Sequence, residues 1–479
     1  MIPRKTKIIC TIGPSSSGKE NLRKLINAGM DTARLNFSHG TYQEHKQSIK
    51  DIREVCDECK KPIAILQDLQ GPKIRTGKVE NGSVQLENGQ EFIITINEME
   101  YGNSKQVSTN YTNLVSEVKA GKQILLDDGY IILNVEEVSG NDIITSVIKG
   151  GELKDNKGII TPGVSSSAPS LSEKDFEDLK FGLKAGVDAV ALSFVRSEKD
   201  VVELRTAMRI FGKTVPIISK IERYEGYEDI EDIIDESDGI MVARGDLGLE
   251  MPAEQVPILQ KEIISKCNNK GKPVIIATQM LESMIHNPRP TRAEASDVAN
   301  AVIDGADSVM LSGETSIGDY PIEAVDYMHR IIKVVENKYI SEKGIKLDVG
   351  SRDIKDISDA LGKASCVIAR QIDASAIISL TGSGYTAQNI AKYRPSQPIV
   401  ALSENEETLR LLSFIWGVEG ILVPHNLSST EIFRQIGELV SKLDYIKKED
   451  HVCFVAGLAS GKAMPENMLK VYKIEADSE

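Results

Sequence analysis

The sequence predicts an α/β protein in three parts: a (β/α)8, or TIM, barrel, an all-β lid domain inserted after its third strand, and a C-terminal open α/β domain. Three observations carry this reading. Eight short apolar strand-like runs alternate with helix-like runs, three before a break and five after it. Strands that are apolar throughout belong to a parallel sheet covered by helices, and eight such units close a barrel. Within the break, residues 72–168, the alternation gives way to short β-branched segments separated by Asn81-Gly82, Asn88-Gly89, Asp128-Gly129 and Ser139-Gly140, the turn chemistry of a small β domain. From about residue 340 strands and helices alternate again, as in an open, mostly parallel sheet. The expected domains are therefore 1–71 with 169–339, 72–168, and 340–479.

In chain order, the first three strand-like runs are residues 7–13, 32–37 and 62–68, with helical stretches up to Gly29 and over 42–60. After the insert, SEKDFEDLKFGLKAG reads as a capped amphipathic helix. Strands follow at 189–195, 216–222, 239–244, 273–279 and 308–313, each with a helix behind it, and a long helix at 321–339 leads into a polar junction. The third region reads as a helix through Ala369, strands at 376–381, 398–403, 421–424 and 451–457, and helices at 387–394, 407–417 and 429–443.

A chain of 479 residues exceeds a single core. Hydrophobic content of 41% with 27% charged residues is that of a soluble globular protein, and no apolar run is long enough to span a bilayer. The start, MIPRKTKIICTIGP, lacks the apolar core and cleavage site of a secretion signal. The six cysteines are scattered, which fits a reducing cytoplasm. Cys56 and Cys59 form a C-x-x-C without a second pair, inside a helical run, so zinc is not expected. A formal net charge of −14 argues against a nucleic-acid partner. An acidic protein that handles anions must concentrate its positive charge locally.

That concentration falls at the strand ends, where barrel enzymes place their chemistry. They read Arg34, Asn36 and Ser38; Asp68; Lys220 and Glu222; Arg244, Gly245 and Asp246; Thr278 and Gln279; Ser312 and Glu314. Lys220 and Glu222 are two residues apart and leave the same face of a pleated strand. If the next strand lies parallel beside theirs, Asp246 reaches the same edge. Two carboxylates flanked by a lysine suit Mg²⁺ and an anionic substrate, because a hard cation takes one or two carboxylates and completes its shell with phosphate oxygens. An insert after the third strand hangs over this end, where a lid could exclude water. In the third region TGSGYT, residues 381–386, lies between a strand and a helix and offers hydroxyls and N–H groups to a phosphate; a tight turn rich in Gly and Ser would look the same. Two other glycine-rich runs are decoys. GPSSSGKE, residues 13–20, ends in Glu20 where a nucleotide-binding loop needs a hydroxyl, so it reads as a capped turn, and GLASGK near Gly457 has the wrong spacing.

Taken together, CTIGPSS, TARLNFSHG, QDLQGPKIRTG, ISKIER, MVARGDLG, ATQMLESM and MLSGETSIGDYPIEAV resemble the pyruvate kinase family over nearly the whole chain. The resemblance implies conversion of phosphoenolpyruvate and ADP to pyruvate and ATP, the last step of glycolysis. It further implies a divalent cation, Mg²⁺ or Mn²⁺, a homotetramer, and allosteric control by a sugar phosphate through the C-terminal domain. By resemblance, Arg34 holds the substrate phosphate; Asn36, Ser38 and His39 line the nucleotide and cation side; Arg75 and Lys157 reach the nucleotide phosphates. Glu222 and Asp246 ligate the metal, and Lys220 stabilises the phosphoryl group in transit. Gly245 leaves room for substrate, and Thr278 orients a water relay for enolate protonation, with Ser312 and Glu314. Relatives that require K⁺ carry Glu and Thr where this chain has Lys73 and Leu69. The expectation is that K⁺ is not required, with Asn36, Ser38, Asp68 and Leu69 as the remaining monovalent-cation ligands. Effector phosphate contacts would come from Ser379, Thr381, Ser383 and Thr386; Tyr385 stands where some relatives activated by sugar bisphosphates have a basic residue. On physics alone, a Mg²⁺-dependent lyase or aldolase acting on pyruvate enolate is the rival reading.

Overall fold

The computed structural model describes residues 3–164, 167–340, 357–425, 431, 435–440, 443–456 and 468–474. Eight parallel strands close a barrel: Lys7–Thr11, Thr32–Asn36, Ala64–Asp68, Ala189–Leu192, Ile217–Ile221, Gly239–Ala243, Val274–Ala277 and Ser308–Leu311. Each pairs with its sequence neighbours among the eight, and the first closes on the last through Lys7↔Ser308 to Cys10↔Leu311. Side chains alternate across the wall. Ile9, Leu66, Ile218, Met241, Ile275 and Met310 fill the interior, while Ile8, Cys10, Ile65, Val190, Ile240 and Val309 pack outward against the helices. This double burial is why the strands read as apolar throughout.

Several strands stop earlier than their apolar runs. The run 273–279 yields Val274–Ala277, because Thr278 and Gln279 take φ of 66° and 54°. The run 189–195 yields Ala189–Leu192, with Phe194 at 56°. The acidic stretch after the fifth strand is two short helices, Tyr224–Glu228 and Ile230–Glu236, meeting at Asp229. Arg244 opens a new helix, Arg244–Glu250. Thr41, Ser172 and Thr291 cap their helices with reciprocal bonds to Glu44, Asp175 and Glu294. The decoy loop at residues 13–20 is a turn in which Ser16 and Ser17 N–H groups donate to the Gly13 carbonyl (3.0 and 2.9 Å). The helix that follows, Lys19–Ala28, has Gly18 at its N-cap and so no side-chain cap, a correction to the capped turn read from sequence.

The insert leaves after the third strand and builds a six-stranded and a two-stranded sheet around Phe92, Ile94, Leu126, Leu133 and Val135. It is not purely β, since Leu114–Glu117 forms one helical turn. After the barrel the helix Pro321–Val335 ends in a π-turn, Glu336–Ile340. The C-terminal sheet has the order Val418–Leu422, Ile399–Ser403, Ala376–Leu380, His451–Ala456, Met468–Lys473, all parallel except the last. That antiparallel edge strand was not read from sequence. Of the expected helix 429–443, Ile436–Val440 is described; GLASGK lies outside the described residues.

The C-terminal region seals the barrel's N-terminal end. Buried Arg394 binds Asp307 (2.8 and 3.0 Å), Asn268 Oδ1 (2.5 Å) and the Gly305 carbonyl (2.8 Å). Arg410 pairs with Asp188 at 2.8 Å, and Lys7 Nζ donates to the Val418 carbonyl at 2.7 Å. Phe414 and Ile415 join the same apolar cluster as the barrel's interior side chains. The site must therefore lie at the other end.

Candidate active site

At the strand C-termini the sequence brings its charges into one network. Register places Asp68 beside Asn36 on one side and Ala191 on the other. Its Oδ2 accepts Arg34 Nε at 2.6 Å, and its Oδ1 accepts Lys220 Nζ at 3.2 Å. Lys220 also donates to Ser193 Oγ (2.7 Å) and pairs with Glu222 Oε1 (3.0 Å). Arg34 Nη1 donates to Thr11 Oγ1 at 2.9 Å. Burial works against the Lys220 ammonium, but Asp68 and Glu222 more than offset it, so Lys220 titrates above its ordinary value and stays charged. Asp68 is held below the usual carboxylate range by Lys220 and Arg34, again against burial.

Glu222 follows the end of its strand, and its second oxygen accepts the Phe194 N–H at 2.7 Å. Phe194 itself takes a left-handed φ of 56°. Asp246, in the first turn of Arg244–Glu250, shares a small cleft with Glu222. Lys73, Arg196 and Arg223 share it too, as do Pro72 and Ala168 at the two crossings into the insert. Burial pushes the Glu222 carboxyl above its ordinary value against the pull of Lys220, and Asp246 adds to the rise. A divalent cation between the two would relieve that repulsion.

Thr278 stands at the seventh strand's end. Its Oγ accepts the Gly245 N–H (2.8 Å) and donates to the Ala277 carbonyl (2.6 Å). Arg244 buttresses this turn: Nη2 donates to the Thr278 carbonyl at 2.7 Å while Nη1 is anchored on Asp297 at 2.7 Å. Glu314 is engaged by backbone, accepting from Ser312 N (2.7 Å) and Leu281 N (3.0 Å). It shapes the turn after the seventh strand.

Other expected residues lie farther out. Asn36 Oδ1 accepts the Ser38 N–H at 3.1 Å, and His39 is exposed. In the insert, Arg75 bridges Gly158 and donates to the Asn156 carbonyl (2.9 Å), which sets it beside Lys157; Lys157 is paired with Asp127 at 2.8 Å. The Leu69 carbonyl already accepts Ser193 Oγ at 2.7 Å. Within the C-terminal loop, the buried Thr381 hydroxyl accepts the Gly384 N–H (2.9 Å), Thr386 is buried, Ser383 is exposed, and the buried Ser379 Oγ has no hydrogen-bond partner among the described residues. Sequence reasoning missed Ser193 and gave Arg244 no role. Both lie at strand ends, the only sequence signal they offered.

Cations gathered around carboxylates at the open end of a barrel, beneath an inserted sheet domain, fit a phosphotransferase that works by positioning and charge. The comparisons agree. The model described as "Pyruvate kinase, barrel domain" matches residues 3–325, and "Pyruvate kinase, alpha/beta domain" matches residues 359–472. Pyruvate kinase 2 of Synechocystis sp. is 46% identical over 479 residues, covering 99% of this chain and 80% of the relative. Pyruvate kinases of Geobacillus stearothermophilus and Bacillus licheniformis are 45% and 46% identical, each covering 98% of this chain and 80% of the relative. The chain belongs to the pyruvate kinase family. It is a glycolytic phosphotransferase that converts phosphoenolpyruvate and ADP to pyruvate and ATP.

Proposed function

We propose that Lys220 is the group on which phosphoryl transfer turns, with Glu222 and Asp246 as the metal-holding pair. The observation that carries this is the placement of one buried ammonium within 3.2 Å of Asp68 and 3.0 Å of Glu222. Phosphoryl transfer passes through a loose, highly charged transition state, so a cation fixed in advance costs no reorganisation when charge develops. Among the described residues no cluster of three or more His, Cys, Asp or Glu side chains forms a metal site. Two carboxylates nonetheless suit Mg²⁺ or Mn²⁺, which complete their shells with substrate oxygens. When bound there, the ion supplies Lewis-acid polarisation of those oxygens.

Arg34 holds the substrate phosphate, and its bonds to Asp68 and Thr11 fix its direction. Gly245, without a side chain, leaves room for substrate beside the turn that its N–H makes with Thr278 Oγ. Thr278 orients the water that protonates the enolate carbon; the bonds of Glu314 to backbone N–H groups support a positioning role there for it and Ser312. Asn36, Ser38 and His39 line the nucleotide side, with Arg75 and Lys157 contributed by the insert. The cleft holds only about 40 Å³, far below the roughly 300 Å³ of the smallest ligand pockets. Its walls come from both the barrel and the insert, which supports the insert acting as a lid over the metal-holding pair.

Lys73 lines this cleft, and a unit charge about 4 Å away is worth about 4 kcal/mol at an effective dielectric of 20. Catalysis therefore does not require K⁺. The prior engagement of Asp68 by two cations and of the Leu69 carbonyl by Ser193 supports this. Assays in K⁺-free buffer check it, and tenfold or greater activation by added K⁺ would refute it. Assembly as a tetramer and control by a sugar phosphate at residues 379–386 complete the reading. The deciding experiment is Lys220→Met, which should lose roughly a hundredfold or more in ATP formation while retaining most of the proton exchange into the methyl group of pyruvate. Equal loss of both partial reactions would overturn the assignment.

A further inference from the structure

An ammonium has three N–H groups, and that of Lys220 meets three acceptors: Asp68 Oδ1 at 3.2 Å, Glu222 Oε1 at 3.0 Å and Ser193 Oγ at 2.7 Å. The shortest contact is the uncharged one. Asp68 is also committed to Arg34 through Oδ2 at 2.6 Å, and Glu222 to the metal it is proposed to hold. Ser193 has neither of these second commitments.

A hydroxyl carries one proton and two lone pairs. The Ser193 proton is spent on the Leu69 carbonyl at 2.7 Å, with Asp68 Oδ1 at the limit of reach, 3.5 Å, so the oxygen turns a lone pair to Lys220. The side chain is buried, and its surroundings hold it. Gly71, the residue before Pro72, lies against it with φ of 71°, and a Cβ there would come within 3.0 Å of Ser193 Cβ. The next residue along completes the grip, because the Phe194 N–H donates to Glu222 Oε2 at 2.7 Å. Two consecutive residues thus hold both members of the Lys220–Glu222 pair.

We propose that Ser193 is a positioning residue for phosphoryl transfer, acting through Lys220: its hydroxyl, anchored on the Leu69 carbonyl, fixes where the ammonium sits. The inference rests on the role proposed above for Lys220. The two carboxylates keep that group charged, and the hydroxyl aims it without adding a negative charge that would oppose an incoming phosphate. Aim matters at this site, since a misplacement of about 1 Å can cost roughly a hundredfold in rate.

The test is a double-mutant cycle on the full chain, with far-UV circular dichroism confirming that each variant is folded. Ser193→Ala should lower kcat for ATP formation roughly ten- to a hundredfold, the scale of one hydrogen bond to a charged group. The KM for phosphoenolpyruvate should stay within about twofold, and most of the proton exchange into the methyl group of pyruvate should remain. In the Lys220→Met background the same substitution should cost less than about a further twofold, because the group it positions is gone. Ser193→Cys keeps the shape and offers only a weak acceptor, so it should show the same split between kcat and KM to a smaller degree. Unchanged kcat in Ser193→Ala, equal loss of both partial reactions in it, or an undiminished loss in the Lys220→Met background overturns the inference. Equal loss of both partial reactions in Lys220→Met alone counts against the role given to Lys220, while the cycle still reports whether Ser193 acts through it.

Discussion

Lys220, Glu222 and Asp246 could be found from spacing because each marks an abrupt change from an apolar run to charge. Ser193 could not, since a serine after Ala-Leu reads as an unremarkable strand end; only the folded barrel brings its hydroxyl between Lys220 and the Leu69 carbonyl. Arg244 was visible as a charge, but its target is the carbonyl of a threonine whose positive φ no local pattern announces. Gly245 gives this scale its prediction. A methyl added there would meet Thr278 Oγ1 at 3.5 Å and its Cβ at 3.6 Å, ordinary contacts that the folded chain tolerates. Gly245→Ala should therefore leave the thermal midpoint within about 2 °C of wild type, less than a 1 kcal/mol change produces in a domain of this size. It should also raise the KM for phosphoenolpyruvate about tenfold if the substrate lies beside Gly245 as proposed. Unchanged KM would place the substrate elsewhere.

At the scale of elements, the eight strands were legible because an interior layer and an outer helical layer demand apolar residues on both faces. Their ends were less so. The apolar runs continue past the point where the backbone turns, and the turns at residues 194 and 278 are held by tertiary bonds. Asp31, just before the second strand, shows how one side chain pins an element. It pairs with Arg4 and accepts the Ile8 N–H at 2.8 Å. Burial opposes its ionisation, but Arg4, Lys61 and Lys7 together hold its pKa below the ordinary 3.8. A depressed acid contributes stability that is complete above its unfolded pKa and is lost as pH falls through the folded one. Denaturant unfolding between about pH 2 and 5 should show wild-type stability falling toward acid, and Asp31→Asn should flatten that slope while lowering stability at neutral pH. Parallel slopes would refute it.

For the whole molecule, the three-part architecture was readable from the change in rhythm at residues 72–168 and after the barrel, but the joint was not. Arg394 and Asp307 belong to distant segments, and nothing in either neighbourhood signals that they meet. Breaking a buried pair strands the remaining charge at a cost of about 3–5 kcal/mol. Arg394→Met should therefore lower stability by that order and let the C-terminal domain melt ahead of the barrel, seen as two calorimetric transitions in place of a more cooperative one. A single transition at the wild-type midpoint would show that the apolar seam alone suffices. At the opposite end, the two chain crossings into the insert, Pro72 and Ala168, are themselves wall residues of the cleft that holds Glu222 and Asp246. The straps into the insert and the two proposed metal-holding carboxylates thus share one wall. With the metal held as proposed, a pivot of the upper sheets would redraw its surroundings directly, with no relay in between, and substitutions that stiffen either strap should register as altered cation preference before they register as altered nucleotide affinity.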